Sequence, residues 1–223
     1  MDAKTEKGYK GIGMNGFIAT WYAKNTAKDI AHYKNDAKKV TEHVSEGANI
    51  LELAPGPGYL AIALAKMGDY RITGLDISEK FVEIAEAKAR EEGVEVDFRL
   101  GDAAKMPFTD ETFDFIICRA AFKNFAQPIV AIDEINRVLK AGGKAVIIDL
   151  RGDVSKEVTD QHVEEDLGMT GINALMTKWT FRSMLIKRAY TKDQFEEMVT
   201  KSRFQTCRIE QDKIGLEVWL QKR

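Results

Sequence analysis

Soft, clustered ligand chemistry is scarce in this chain, which holds two cysteines and three histidines among 223 residues. Cys118 and Cys207 lie far apart and lack metal-ligand spacing, so both read as reduced core residues. His32, His43 and His162 are scattered over predicted helices and loops and form no ligand motif, so no metal is expected. No apolar run reaches the roughly 18 residues of a membrane span. The start, Met1-Asp2-Ala3-Lys4-Thr5-Glu6-Lys7, is charged and has no apolar signal core. These absences predict a cytoplasmic chain with no membrane association. Charge of one sign is missing too: 33 basic against 35 acidic residues give a net charge of −2. No global basic field therefore points to nucleic acid. There are no repeats and no low-complexity run.

What is present is one α/β domain's worth of alternating pattern. Ile50-Leu51-Glu52-Leu53 is a short apolar run, Ala54-Pro55-Gly56-Pro57-Gly58 breaks it, and Leu60-Ala61-Ile62-Ala63-Leu64-Ala65-Lys66 is a strong helix former. A strand, a tight turn and a helix in that order leave unpaired N–H groups at the carboxyl end of the strand, facing a ligand. Glycines at 56 and 58 let the backbone come close to it. Glu52 stands at the same edge. Tyr70-Arg71-Ile72-Thr73-Gly74-Leu75-Asp76-Ile77 reads as a second strand, ending in an acid placed to accept ribose hydroxyls. Gly56-x-Gly58-x-x-Ala61 equally fits the dinucleotide pattern of a nicotinamide enzyme. Glu52 and a third acidic turn, Gly101-Asp102-Ala103, have to separate the two readings.

With those residues in view the chain resembles the class I S-adenosylmethionine-dependent methyltransferases of the ubiquinone- and menaquinone-biosynthesis type. The matching stretch runs from about 48 to 150. It includes Glu52, Ala54, Gly56 and Gly58, then Asp76, then Gly101-Asp102-Ala103-Ala104-Lys105-Met106-Pro107-Phe108, then Phe113-Asp114-Phe115-Ile116-Ile117-Cys118 and Val138-Leu139-Lys140-Ala141-Gly142-Gly143-Lys144. Ala54 replaces the usual first glycine, and Phe122-Lys123-Asn124 replaces a frequent histidine pair. The resemblance implies S-adenosylmethionine as cofactor, S-adenosylhomocysteine as product and a small-molecule methyl acceptor. It also implies roles. Glu52, Ala54, Gly56 and Gly58 would border the methionine part, Asp76 the ribose, Ile77 the adenine face, and Gly101, Asp102 and Ala103 the adenine edge. Arg119 and Phe122 would line the wall near the transferred methyl group.

Along the chain, residues 1–10 are expected to be mobile, and 11–45 to form a helical cap. Within the cap, 11–25 mixes glycines with large apolar groups, and a capping box at Thr26-Ala27-Lys28-Asp29 starts a helix to about Val44. The cofactor-binding core spans 48–150, with strands at 48–53, 70–76, 95–100, 113–118 and 144–150 and helices near 58–67, 79–91 and 126–140. Continuous apolar runs such as Phe115-Ile116-Ile117-Cys118 mark strands buried on both faces, hence a parallel sheet covered by helices. Residues 151–190 are an insertion with the character of a substrate lid. Residues 191–223 supply a helix and a hairpin, with strands at Phe204–Glu210 and Gly215–Gln221. The expected fold is a doubly wound, Rossmann-like, seven-stranded and mostly parallel sheet with an antiparallel C-terminal strand at its edge.

Substrate-pocket candidates are Met14, Phe17, Trp21, Tyr22, Phe122, Lys123, Asn124, Met176, Trp179 and Arg182. Lys123 and Asn124 read as pocket-edge residues without an acidic or histidine partner, and no catalytic base stands out. An Asx-Pro-Pro-aromatic motif and a Pro-Cys nucleophile are both absent after the fourth strand, which disfavours nucleic acid as acceptor. Arg119 and Lys123, with Lys178, Arg182, Lys187 and Arg188 in the insertion, suit an anionic acceptor. A nicotinamide-dependent oxidoreductase and a non-catalytic cofactor-binding protein acting through a partner stand as alternatives. Monomer and homodimer are both open.

Overall fold

The structure, a computed structural model, describes residues 8–10 and 30–223. The segment 11–25, the capping box at 26–29 and the candidates Met14, Phe17, Trp21 and Tyr22 lie outside the described residues. Seven strands form one sheet: β1 (Asn49–Leu53), β2 (Arg71–Asp76), β3 (Asp97–Leu100), β4 (Phe113–Arg119), β5 (Leu139–Leu150), β6 (Arg208–Gln211) and β7 (Gly215–Gln221). Their spatial order is β3-β2-β1-β4-β5-β7-β6. The first five pair in parallel. β7 runs antiparallel to both β5 and β6. The antiparallel C-terminal strand therefore lies one position in from the edge, and the outermost strand, β6, runs with the parallel set. The tight β6–β7 connection fixes only that this pair is antiparallel; because β7 is the strand docked on β5, β6 takes the edge.

Around the sheet lie α1 (Ile30–Thr41), α2 (Tyr59–Ala65), α3 (Glu79–Glu91), α4 (Pro128–Val138), α5 (Lys156–Gln161), α6 (Gly171–Thr180) and α7 (Lys192–Thr200). Single π-helical turns follow α5 at His162–Asp166 and α6 at Phe181–Leu185. α3 is typical of the local logic: the Ser78 hydroxyl accepts from the Phe81 N–H at its start, and Lys88 and Arg90 sit in its last turn, where the helix dipole favours positive charge. α4 starts at Pro128, whose locked φ and missing N–H suit the first helical turn.

Strand alternation divides the interior in two. Leu51 and Leu53 of β1, Ile116 and Cys118 of β4, and Ala145 and Ile147 of β5 face the layer containing α4 and α7. Ile50, Phe115, Ile117 and Val146 face the layer of α1, α2 and α3. β5 begins at Leu139, before the expected 144, and its register against β4 breaks between Phe113 and Phe115. Gly142 takes a φ of 76° inside that break. In the insertion, α6 turns Ile172, Leu175, Met176 and Trp179 outward, all of them exposed. Among the described residues no helix is long and apolar enough to cross a membrane, and no group of three potential ligands could hold a metal ion.

Gly58 has a packing role. Its φ is +80°, and a Cβ there would lie 2.8 Å from Phe98 Cζ and 2.9 Å from Ala85 Cβ. Gly58→Ala combines a left-handed penalty with overpacking and should lower stability by about 2–4 kcal/mol. Urea unfolding measures this, and an unchanged midpoint would contradict it.

Candidate functional site

The strand order reverses between β1 and β4, and a crevice opens beyond the carboxyl ends of strands at such a point. A cavity of about 450 Å³ lies there. Its floor is the β1–α2 turn. Ala54 holds a φ of 54°, a left-handed conformation that glycine adopts more easily, and its N–H donates to Leu75 O at 2.8 Å. Gly56 has a φ of +54° with nothing within 4 Å of a would-be Cβ.

Asp76 ends β2 and holds that turn. Its Oδ2 accepts from the Gly56 N–H at 3.0 Å and its Oδ1 from the Ser78 N–H at 2.8 Å. Burial pushes its carboxyl above the usual range, and backbone N–H groups of Ser78, Gly56 and Ile77 pull it back.

Glu52 shares a strand face with Ile50, on the α1 side of the sheet. It is 3% exposed, and its Oε2 has no hydrogen-bond partner among the described residues. Burial raises its carboxyl to about 8, against the lowering effects of the Ala61 backbone and the Arg119 charge. Arg119 falls on the same face by the alternation of β4. Its guanidinium is ion-paired with Asp36 and lies 4.6 Å from the Tyr33 ring centroid, both on α1.

The far wall comes from Gly101, Asp102 and Ala103, with Ile77 on the rim. Asp102 Oδ1 accepts from the Ala104 N–H at 2.8 Å. Across the mouth runs a short strap, Gly8-Tyr9-Lys10. The Lys10 N–H donates to Asn124 O at 2.7 Å, and the Ala126 N–H donates to Gly8 O at 3.2 Å. Residues 8–10 are thus held in place, where mobility was expected. The Tyr9 hydroxyl is raised by burial, lowered by the charge of Arg188 and raised by Asp76.

Of the cofactor-site residues expected from sequence, Glu52, Ala54, Gly56, Asp76, Ile77, Gly101, Asp102, Ala103 and Arg119 line this one cavity. Gly58 does not, because its α-carbon faces Phe98 and Ala85. Among the acceptor-side residues Asn124 lines the cavity. Phe122 turns away from it, since the short helical turn Phe122–Asn124 directs the ring into the α7 layer against Phe125 and Phe195. Lys123 is buried and ion-paired with Asp149 at 2.6 Å, which corrects the expectation of a partnerless pocket-edge residue. Met176 and Trp179 project outward from α6, and Arg182 is ion-paired with Asp160. Sequence reasoning missed Gly8, Tyr9 and Tyr33 as lining groups. Tyr33 carried a signal, being on the apolar stripe of its helix; the strap carried none.

A profile of the methyltransferase-domain family matches residues 51–147. An uncharacterized methyltransferase of Bacillus subtilis is 38% identical over 101 residues, 45% of this chain and 40% of that protein. The demethylmenaquinone methyltransferase of Thermotoga maritima is 37% identical over 125 residues, 55% of this chain and 53% of that protein. The matches thus span about half the length of these relatives. A solved Methanococcus maripaludis protein, assigned to the S-adenosyl-L-methionine-dependent methyltransferases, superposes with a TM-score of 0.73 at 20% identity, over 95% of this chain and 97% of that one, and shows the shared fold.

Proposed function

We propose, from a core that belongs to the methyltransferase-domain family, that this chain binds S-adenosylmethionine in the cavity and transfers its methyl group to a small molecule, leaving S-adenosylhomocysteine. The observation that carries the reading is Glu52: a buried carboxyl with no hydrogen-bond partner on one oxygen among the described residues, lining the cavity along with a second buried acid. A buried polar atom of this kind is costly unless a ligand satisfies it. The cofactor's ammonium group is such a ligand. Asp76, already anchored on two backbone amides, offers its remaining lone pairs to the ribose hydroxyls. Ile77 gives the purine an apolar face, and the turn at Gly101-Asp102-Ala103 borders its edge.

S-adenosylmethionine supplies a methyl group on a sulfonium, already a good electrophile. The residues of this chain have to hold, orient and keep water out. Gly56 leaves its backbone open to the cavity, Arg119 is fixed by Asp36 and Tyr33, and Ala120 and Ala121 present a wall without bulk. Among the described lining residues none is assigned the part of a general base.

The nicotinamide reading loses its main support at Gly58, which packs against α3 and β3 and does not face the cavity. Arg119, Lys123, Lys178 and Arg182 each face a carboxylate. Of the cations expected to read an anionic group, Arg188 is near enough to Tyr9 for its charge to pull that hydroxyl's pKa down. On this reading the chain works in the cytoplasm, as a monomer or homodimer, and its two free cysteines, Cys118 and Cys207, are compatible with a reducing compartment. The test is transfer of labelled methyl from S-adenosylmethionine to pooled metabolites; a chain that binds the cofactor yet labels nothing would leave the non-catalytic alternative standing.

Residues 151–190 are assigned as a cover for the acceptor, with the exposed apolar side chains of α6 as its inner surface in the closed state. Amide exchange over 168–182 is expected to slow when S-adenosylhomocysteine is added. Equal rates in both states would sink this role.

A further inference from the structure

Lys123 and Asp149 form the most enclosed ion pair among the described residues, with side chains 5% and 1% exposed. Burying two charges costs both their hydration, and an apolar pair of similar volume is often as stable or more so. Stability therefore does not account for the pair. Its connections do. Lys123 Nζ donates to Asp149 Oδ1 and to Ala120 O, each at 2.6 Å. The Lys123 N–H donates to Asp149 Oδ2 at 2.9 Å, and the Ala120 N–H to Ile148 O at 2.7 Å. These bonds tie the turn after β4 to the end of β5. They also hold Ala120 at a φ of 56°, a conformation that alanine seldom takes unaided.

Ala120, Ala121, Asn124 and Phe125 are the cavity wall that this turn supplies. On the same wall sits the strap, since Lys10 and Gly8 hydrogen-bond to Asn124 and Ala126, and Tyr9 pairs with Phe125. At its other end the strap abuts the opposite wall. A Cβ on Gly8 would lie 2.0 Å from Asp102 Oδ2 and 2.7 Å from Ile77 Cδ1. A continuous path thus runs from the buried pair through wall and strap to the residues assigned to adenine.

We propose that the Lys123–Asp149 pair is a positioning device, which sets the wall and the strap docked on it and through them the cavity's hold on its cofactor. Lys123 and Asp149 are positioning residues, because neither touches the cavity contents. The inference rests on the reading of the cavity as an S-adenosylmethionine site.

The informative variant is the double K123M/D149N, which removes both charges together and keeps one carbonyl oxygen to accept from the Lys123 N–H. It is compared with wild type by thermal unfolding, by calorimetry with S-adenosylhomocysteine and by amide exchange. The expected result is near-native unfolding, affinity weakened roughly tenfold, and faster exchange at the Lys10 and Ala126 amides. A double variant with native affinity and native exchange overturns the proposal. A second variant, Gly8→Ala, leaves the pair intact and moves the strap off Asp102 and Ile77. It should weaken binding without lowering stability, and native affinity there overturns the strap's part. If wild type itself fails to bind S-adenosylhomocysteine, the functional reading falls, a result distinct from either of these.

Discussion

Glu52→Gln is expected to make the ligand-free protein more stable and its hold on cofactor weaker. The Glu52 carboxyl keeps its proton up to about pH 8 in the folded state, against an ordinary value of 4.5. Because the folded state binds the proton more tightly, stability falls as pH rises from about 4.5 to about 8 and is level above that. At about 1.4 kcal/mol per unit, the full loss is on the order of 5 kcal/mol, an upper bound. Glutamine cannot ionise, so the variant should lack this slope and gain most over wild type near pH 8. Urea unfolding at pH 5 and pH 8 reads it out. Binding should move the other way. Loss of a charge-assisted hydrogen bond to the cofactor's ammonium costs roughly 1.5–3 kcal/mol, or about ten- to a hundredfold in affinity. A variant that is no more stable at pH 8, or that binds S-adenosylhomocysteine as wild type does, would contradict the role of Glu52.

Asp76→Ala is expected to damage two things at once. The ribose hydroxyls lose their acceptor, which should cost about 1–3 kcal/mol of cofactor affinity. The Gly56 and Ser78 amides lose theirs as well, and they hold the β1–α2 turn and the start of α3. Leaving such amides unpaired costs about 1–3 kcal/mol of folding stability. Asp76→Asn keeps one carbonyl oxygen in place and should lose less stability while still binding poorly. Calorimetry and urea unfolding separate the two effects. Native affinity in both variants would mean that the ribose is held elsewhere.

The sheet was readable from sequence because strands buried on both faces are continuous apolar runs, and Phe115-Ile116-Ile117-Cys118 cannot be much else. The acidic turns were readable because short-range chemistry fixes them: an acid at the end of a strand, next to a glycine turn, can bond only within its neighbourhood. Positions decided by packing at a distance were not. Gly58 has the spacing of a ligand-facing glycine, and only the approach of Phe98 and Ala85 shows why it is a glycine. Phe122 and Lys123 follow a strand whose end lines the cavity, but the helical turn there swings them into the interior. The partner of Lys123 lies on another strand. The strap Gly8-Tyr9-Lys10 sits in a charged, aperiodic stretch and is held by backbone hydrogen bonds, which leave no trace in side-chain patterning. The early start of β5 was hidden by Lys140-Ala141-Gly142-Gly143, which reads as a turn and occupies a register break within the strand.

The central claim is that the cavity is built for S-adenosylmethionine, and calorimetry in two buffers of different ionisation enthalpy tests it most directly. S-adenosylhomocysteine at pH 7 should bind with one equivalent per chain. It should release a proton as Glu52 ionises against the cofactor's ammonium, so the measured heat should depend on the buffer, and NAD(H) should give no binding heat. Saturable binding of NAD(H), with none of S-adenosylhomocysteine, would contradict the account.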